Sequence, residues 1–228
     1  MSLIEEERLR LIVVNSAKNI YQKGLVQAGE GNISLRLENK NEMLITPTFN
    51  TYEELEKADI VRMKLNGTLI SSSRKPSSEY RLHSDVYRAR PRVKAVIHTH
   101  SPYATIMSAA RIKIPVLIEE QVIFLGGFVN VSEFASAHTH EFSENVIKAL
   151  GSRNGILMAN HGCIVCGRSM KHAIKMAELV EKLAMIHYGA TQMGGTVSIS
   201  EKSCPMFIDD FEENFATHTN KAPACEEK

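Results

Sequence analysis

Two pairs of apolar segments are joined by links too short for a helix, and this limits the folds open to the chain. Ile33 to Leu37 and Met43 to Thr46 are five residues apart, and Ile156 to Ala159 and Cys163 to Cys166 are separated only by Asn160-His161-Gly162. Parallel strands need a crossover of about a dozen residues or more, so each pair must run antiparallel. Ile60 to Leu65 and Val93 to His100 also read as strands. Other segments carry the helical period. Leu9, Ile12, Val13, Ala17 and Ile20 form one stripe, stopping near Gly24. Leu82, Val86 and Ala89 form a second, on a helix starting at Ser77 or Ser78 and ending at Pro91. Ser101-Pro102 suits a helix start, Phe142, Val146, Ala149 and Leu150 precede Gly151, and Ala173, Met176, Ala177, Val180 and Ala184 follow Ser169. Ile112 to Val131 is β-rich and broken by Pro115 and Gly126-Gly127. Interleaved helices and tightly linked strands predict an α/β chain with a largely antiparallel or mixed sheet. Residues 1–195 are expected to form one domain, and 196–228 a partly ordered tail that frays from Ala222 to Lys228.

Charge and composition narrow the function classes. With 27 Lys+Arg against 26 Asp+Glu in 228 residues, the net charge is +1, and no long basic block occurs. Nucleic acid and anionic membrane are therefore not expected partners. No apolar run approaches the roughly eighteen residues of a membrane span. The opening MSLIEEERLR has no apolar segment of the kind a secretory signal needs. Four cysteines in a chain of this length do not form a disulfide scaffold, and a cytoplasmic protein is expected.

The chemistry-bearing signals are histidines. On a strand, His98 and His100 share a face about 6.6 Å apart, close enough for two imidazoles to converge on one ion. The pattern equally suits two polar residues at a strand tip. His138-Thr139-His140 repeats the triplet, but Thr139 reads as a helix N-cap, where residues two apart diverge. His138 and His140 are therefore read as surface or subunit-contact residues. His161, in a polar triplet between two apolar strands, is the best third ligand. His83, His172, His187 and His218 read as helix or tail residues. Cys163 and Cys166 would face opposite ways on a strand, as core thiols do. Pro76-Ser77-Ser78-Glu79 puts two hydroxyls and unpaired backbone N–H groups at a helix start, a workable cradle for phosphate. Glu79 there has the ordinary alternative of a capping residue.

In order, GEGNISLR, MLITPT, PSSEYRLHSDVYRARP, AVIHTHSPYAT and ANHGCIV resemble the class II aldolase/adducin family over roughly Leu3 to Tyr188, most closely its branch acting on L-fuculose 1-phosphate. The resemblance implies a three-layer α/β/α fold with a mostly antiparallel central sheet. It implies one catalytic Zn²⁺ per chain, held by His98, His100 and His161, with Glu79 as acid/base and as a further ligand in the absence of substrate. Gly31, Asn32, Thr48, Ser77 and Ser78 would hold the phosphate, and the assembly would be a homotetramer. The implied reaction cleaves a ketose 1-phosphate to dihydroxyacetone phosphate and an aldehyde such as L-lactaldehyde. Two relatives in the same family catalyse other reactions, methylthioribulose-1-phosphate dehydration and pentulose-5-phosphate 4-epimerisation, and adducin-like scaffolds catalyse none. Two positions depart from the pattern. Phe49 stands where family aldolases usually have Gly, and no tyrosine follows Ile114-Pro115, where the family's acid from a neighbouring subunit is expected. Glu119, Glu120 or a tail residue would have to take that role.

Overall fold

The structure, a computed structural model, describes residues 2–27, 29–38, 41–48, 51–200 and 205–219. Phe49 and Ala222 to Lys228 lie outside the described residues. Helix α1 (Leu3–Gln22) opens with Ser2, whose hydroxyl accepts the Glu5 N–H. Four strands follow, β1 (Asn32–Arg36), β2 (Glu42–Ile45), β3 (Val61–Lys64) and β4 (Leu69–Ser71), then helix α2 (Tyr80–Ala89) and strand β5 (Ala95–Thr99). Helices α3 (Pro102–Ala110) and α4 (Glu119–Leu125) lead to the short strand β6 (Asn130–Val131). Then come α5 (His140–Leu150), β7 (Gly155–Met158), β8 (Gly162–Gly167), α6 (Met170–Gln192) and α7 (Pro205–Asp210). Among the described residues no helix is long and apolar enough to cross a membrane.

The strands form one eight-stranded sheet, in the order β4-β3-β2-β1-β5-β8-β7-β6. The two short links make the antiparallel pairs β1–β2 and β7–β8. The expected mostly antiparallel sheet is in fact mixed, because β6 runs parallel to β7. The connection between them contains α5, which supplies the crossover that a parallel pair requires. Two further readings need correction. The segment expected to be β-rich contains α4, with Glu119 and Glu120 in its first turn and Gly126 in a left-handed C-cap. The sequence pattern marks no strand at Leu69–Ser71, where β4 lies. It is an exposed edge strand with little apolar alternation to mark it.

Apolar layers cover both faces of the sheet. On one, Ala95, Ile97, Cys163 and Val165 pack with Val13, Ala17 and Ile20 of α1 and Ala173, Ala177 and Val180 of α6. On the other, Val96, Ile156, Ile164 and Cys166 pack with Leu82 and Val86 of α2 and Phe142 and Val146 of α5. Adjacent strand residues thus enter opposite cores, and Cys163 and Cys166 point apart as buried free thiols. The site below lies on the α2/α5 face, at the ends of the central strands.

Candidate active site

His98 lies near the end of β5, and its face is set by strand alternation: Ala95 and Ile97 occupy one core and Val96 the other. Its Nδ1–H donates to the Cys163 carbonyl on β8 at 2.9 Å, so its Nε2 faces the cleft. His100, just past the strand, brings its Nε2 to 2.9 Å from that atom, while its Nδ1 lies 3.4 Å from Glu30 Oε2. His161 arrives from the turn between β7 and β8, where Asn160 adopts a left-handed conformation at φ +56°. Asparagine tolerates that geometry better than most residues. Gly162 then lets the turn close onto β5: a Cβ there would meet the Thr99 carbonyl oxygen at 2.3 Å. Phe142 stacks on the His161 ring, with centroids 5.4 Å apart. One ligating nitrogen from each of the three histidines falls within a 4.8 Å span.

Glu79 occupies the N-cap position of α2 but makes no side-chain cap. Its carboxylate turns inward, with Oε2 at 3.2 Å from His98 Nε2 and Oε1 at 3.3 Å from His161 Nε2. Asn32 Nδ2 donates to Oε2 at 2.8 Å. Burial pushes the carboxyl toward its neutral form, but His98, His161 and Asn32 outweigh it and hold Glu79 well below the usual carboxylate range. Burial, then the neighbouring His98, lower His100 to about 3 and His161 to about 4, so both rings are neutral. His98 is also opposed by burial, but Glu79 and the Cys163 carbonyl raise it. The Cys163 side chain enters the opposite core, where burial pushes its thiol up to about 12.

These features fit a bound cation. Glu79 Oε1 is buried without a hydrogen-bond partner, and an orphaned carboxylate oxygen facing three imidazoles is costly unless positive charge completes the site. Three nitrogen donors with a carboxylate suit a zinc-like divalent ion.

The residues of the expected phosphate cradle come together only in part. The Thr46–Thr48 and Lys75–Ser77 segments pair through Thr48 N–H to the Lys75 carbonyl and Ser77 N–H to the Thr46 carbonyl, at 3.1 and 3.0 Å. Ser77 is buried and its Oγ accepts the Glu79 N–H at 3.3 Å, whereas Ser78 is exposed. Asn32 is committed to Glu79. Gly31, at φ +69°, sits where a Cβ would meet the His98 carbonyl oxygen at 2.8 Å. Two residues read as uninvolved are drawn in. His138 Nδ1–H donates to the Ser78 carbonyl at 3.1 Å, and His83 is buried beside Asn32. His140 makes no contact with the cluster. The signal for His83 lay in its spacing, four residues after Glu79, but the apolar stripe of the same helix masked it.

The chain is similar to known proteins over most of its length. The family described as Class II Aldolase and Adducin N-terminal domain matches residues 12–188. A 5-methylthioribulose-1-phosphate/5-deoxyribulose-1-phosphate aldolase of Rhodospirillum rubrum is 34% identical over 185 residues, 81% of this chain and 82% of that protein. The L-fuculose phosphate aldolase of Escherichia coli K12 is 30% identical over 209 residues, 91% of this chain and 96% of that one. A solved L-fuculose 1-phosphate aldolase superposes with a TM-score of 0.85 at 30% identity, covering 89% of this chain and 95% of its own.

Proposed function

The chain belongs to the class II aldolase and adducin family, and on that premise we propose that it is a zinc-dependent aldehyde-lyase cleaving a ketose 1-phosphate between C3 and C4. The observation that carries this reading is the meeting of His98, His100 and His161 around a buried Glu79 carboxylate with an unpartnered oxygen. A binding scaffold need not keep that arrangement. In this reading the three histidines hold the ion, with Glu79 beside it before substrate arrives. A cation bound there would supply an electrophile for the negative charge that builds on the substrate oxygens. Glu79 moves the proton at C3. The Thr48, Ser77 and Ser78 hydroxyls, with the Gly31 backbone and the Asn32 side chain, hold the phosphate, so that binding at the far end orients the reacting carbons. Cleavage needs no water: the C4 hydroxyl gives up its proton, the C3–C4 electron pair stays with C3, and C3 is protonated to give dihydroxyacetone phosphate. Glu119 or Glu120, in the first turn of α4, or a tail residue takes up the C4 hydroxyl proton in cleavage and returns it as the acid in the reverse condensation, in place of the tyrosine absent after Ile114-Pro115.

The aldehyde depends on the length of the sugar. A six-carbon 6-deoxyketose 1-phosphate such as L-fuculose 1-phosphate yields L-lactaldehyde, and a 5-deoxypentulose 1-phosphate yields acetaldehyde. The 34% identity to the Rhodospirillum rubrum enzyme favours the shorter sugar as a second reading. The test is product analysis of the zinc-loaded protein with both sugar phosphates and 5-methylthioribulose 1-phosphate. Dihydroxyacetone phosphate plus aldehyde is expected, and the larger kcat/KM identifies the sugar. A dehydrated diketone, an epimeric ketose phosphate, or no turnover of any sugar would each overturn the aldolase reading.

A further inference from the structure

Behind Glu79 lies a line of buried polar groups that the reaction, as proposed, does not use. Glu79, His83 and Tyr87 are four residues apart and share one face of the α2 segment, while Asn32 and Ser34 are two apart and share one face of β1. The helix face lies over the strand face, and the side chains alternate along it. Tyr87 Oη is 2.7 Å from Ser34 Oγ, and Ser34 Oγ is 2.7 Å from His83 Nδ1. His83 Nε2 meets Asn32 Oδ1, and Asn32 Nδ2 reaches Glu79 Oε2 at 2.8 Å. Ser34, His83 and Tyr87 are completely buried, and Asn32 is 3% exposed. Nothing in the helical pattern of α2 calls for a histidine at a fully buried position.

The hydrogen-bond inventory fixes the direction of every link. An ionised Glu79 only accepts, so Asn32 must turn its NH₂ toward it and its carbonyl oxygen toward His83. His83 must then donate from Nε2. An imidazolium bonded only to neutral groups and removed from solvent is disfavoured, so Nδ1 carries a lone pair and accepts from Ser34. Ser34, having given its proton, accepts from Tyr87. One tautomer of one histidine thus decides which way the Asn32 amide points. With that amide reversed, its carbonyl oxygen would oppose the carboxylate, and the oxygen that stands beside both histidine ligands would lose its donor.

We propose that His83 is a positioning residue for the proton transfer assigned to Glu79: as its Nε2–H tautomer, fixed by Ser34 and Tyr87, it locks the Asn32 amide that holds the carboxylate in place. The inference rests on the aldolase reading above and extends it by three residues that touch neither substrate nor ion. It concerns rate more than affinity, because a misdirected carboxylate still binds substrate but transfers the proton poorly.

The variants are His83→Leu, which removes both ends of the link, and His83→Gln, whose amide keeps a donor where Nε2 stands. In zinc-replete protein, His83→Leu should lose roughly 10–100-fold in kcat, the usual worth of an outer hydrogen-bond partner. KM and metal content should stay within about threefold, and His83→Gln should recover most of the lost rate. Equal kcat in His83→Leu and wild type, or no difference between the Leu and Gln variants, would overturn the proposal. Should His83→Leu fail to fold, Ser34→Ala carries the kinetic test, with a several-fold kcat loss expected and none overturning it. A second measurement is independent of turnover. ¹⁵N NMR of histidine-labelled protein, with His83 identified by its loss in His83→Gln, should show a neutral ring protonated at Nε2. A ring protonated at Nδ1, or an imidazolium, would also overturn it. Glu79→Gln serves as the control that separates the two readings. If that variant keeps wild-type proton exchange, the assignment of Glu79 has failed. If exchange is lost there but untouched in a folded His83→Leu, only the positioning role has failed.

Discussion

A glutamate at a helix N-cap ordinarily serves the helix, yet Glu79 turns its carboxylate away from the α2 backbone and toward His98 and His161. That orientation separates a contribution to rate from one to stability. Glu79→Gln preserves shape and the reach to Asn32 while removing the base. A kcat loss of roughly 10²–10⁴-fold is expected, with folding retained and metal content substantial because three imidazoles remain. Deuterium exchange at the hydroxylated carbon of dihydroxyacetone phosphate isolates the step from carbon–carbon cleavage, and wild-type exchange in the metal-replete variant would remove Glu79 from the chemistry. At this scale much of the site was legible. His98-x-His100 on a strand announces a shared face, and Asn160-His161-Gly162 between two apolar runs announces a turn into a cleft. His83, Ser34 and Tyr87 were not legible, because their meaning depends on which strand α2 crosses and in what register. Thr139 caps α5 as its sequence position predicts, accepting the Phe142 N–H, yet His138 before it still reaches the site. Its left-handed backbone, φ +70°, is what turns the ring back toward Ser78.

Elements carry these residues, and their ends decide the geometry. The β7–β8 turn and the end of β5 approach closely only because Gly162 has no side chain, and Gly31 plays the same part between β1 and β5. Boundaries of strongly periodic helices were readable: α5 ends at Gly151 as expected, and Ser169 caps α6 by accepting the His172 N–H. Helix α3 shows the limit of such reading. Ser101 and Pro102 stand at its start, but its free N–H groups at Tyr103 and Ala104 are capped from a distance by Glu181 of α6, both at 2.9 Å. The start of α2 matters most for function, and there the two serines part company. Ser77 is buried and accepts the Glu79 N–H, so Ser77→Ala removes a structural hydrogen bond worth about 1 kcal/mol as well as a phosphate donor. Ser78 is exposed, so its replacement reports on substrate alone. Ser78→Ala should raise KM for the phosphorylated ketose at least tenfold, since a charge-assisted hydrogen bond contributes about 1.5–3 kcal/mol. Tm and activity on the unphosphorylated sugar should be unchanged. Equal losses on both sugars would remove Ser78 from the cradle.

For the whole molecule, the sequence shows that helices and tightly linked strands share one sheet, but not the order of those strands. Placing β1 beside β5 is a long-range pairing, set by which apolar faces bury together, and that pairing sets Asn32 opposite His98. The same assembly encloses several histidines as neutral rings, which makes global stability depend on pH. Burial lowers His83 and His100 to about 3 from the usual 6.5, and His161 to about 4. A lowered histidine binds fewer protons folded than unfolded between its two pKa values. Its contribution is therefore full above 6.5 and falls away as pH drops toward the folded value. Glu79, also lowered, adds to this only below its ordinary 4.5. His98 is raised and works in the opposite sense, contributing stability below 6.5 that is lost as pH rises through its folded pKa. The balance still falls on acidification. For His83, completely buried, the loss at about pH 5 is on the order of 2 kcal/mol, a sizeable share of the roughly 5–15 kcal/mol that holds a domain folded. Urea unfolding of chelator-treated protein at about pH 8 and about pH 5.5 should show a clearly lower midpoint in acid. His83→Gln, which cannot take up that proton in either state, should narrow the gap between the two midpoints. A midpoint that stays level or rises on acidification would mean that these rings are not held neutral by the fold, and an unchanged gap in His83→Gln would clear His83 of the effect.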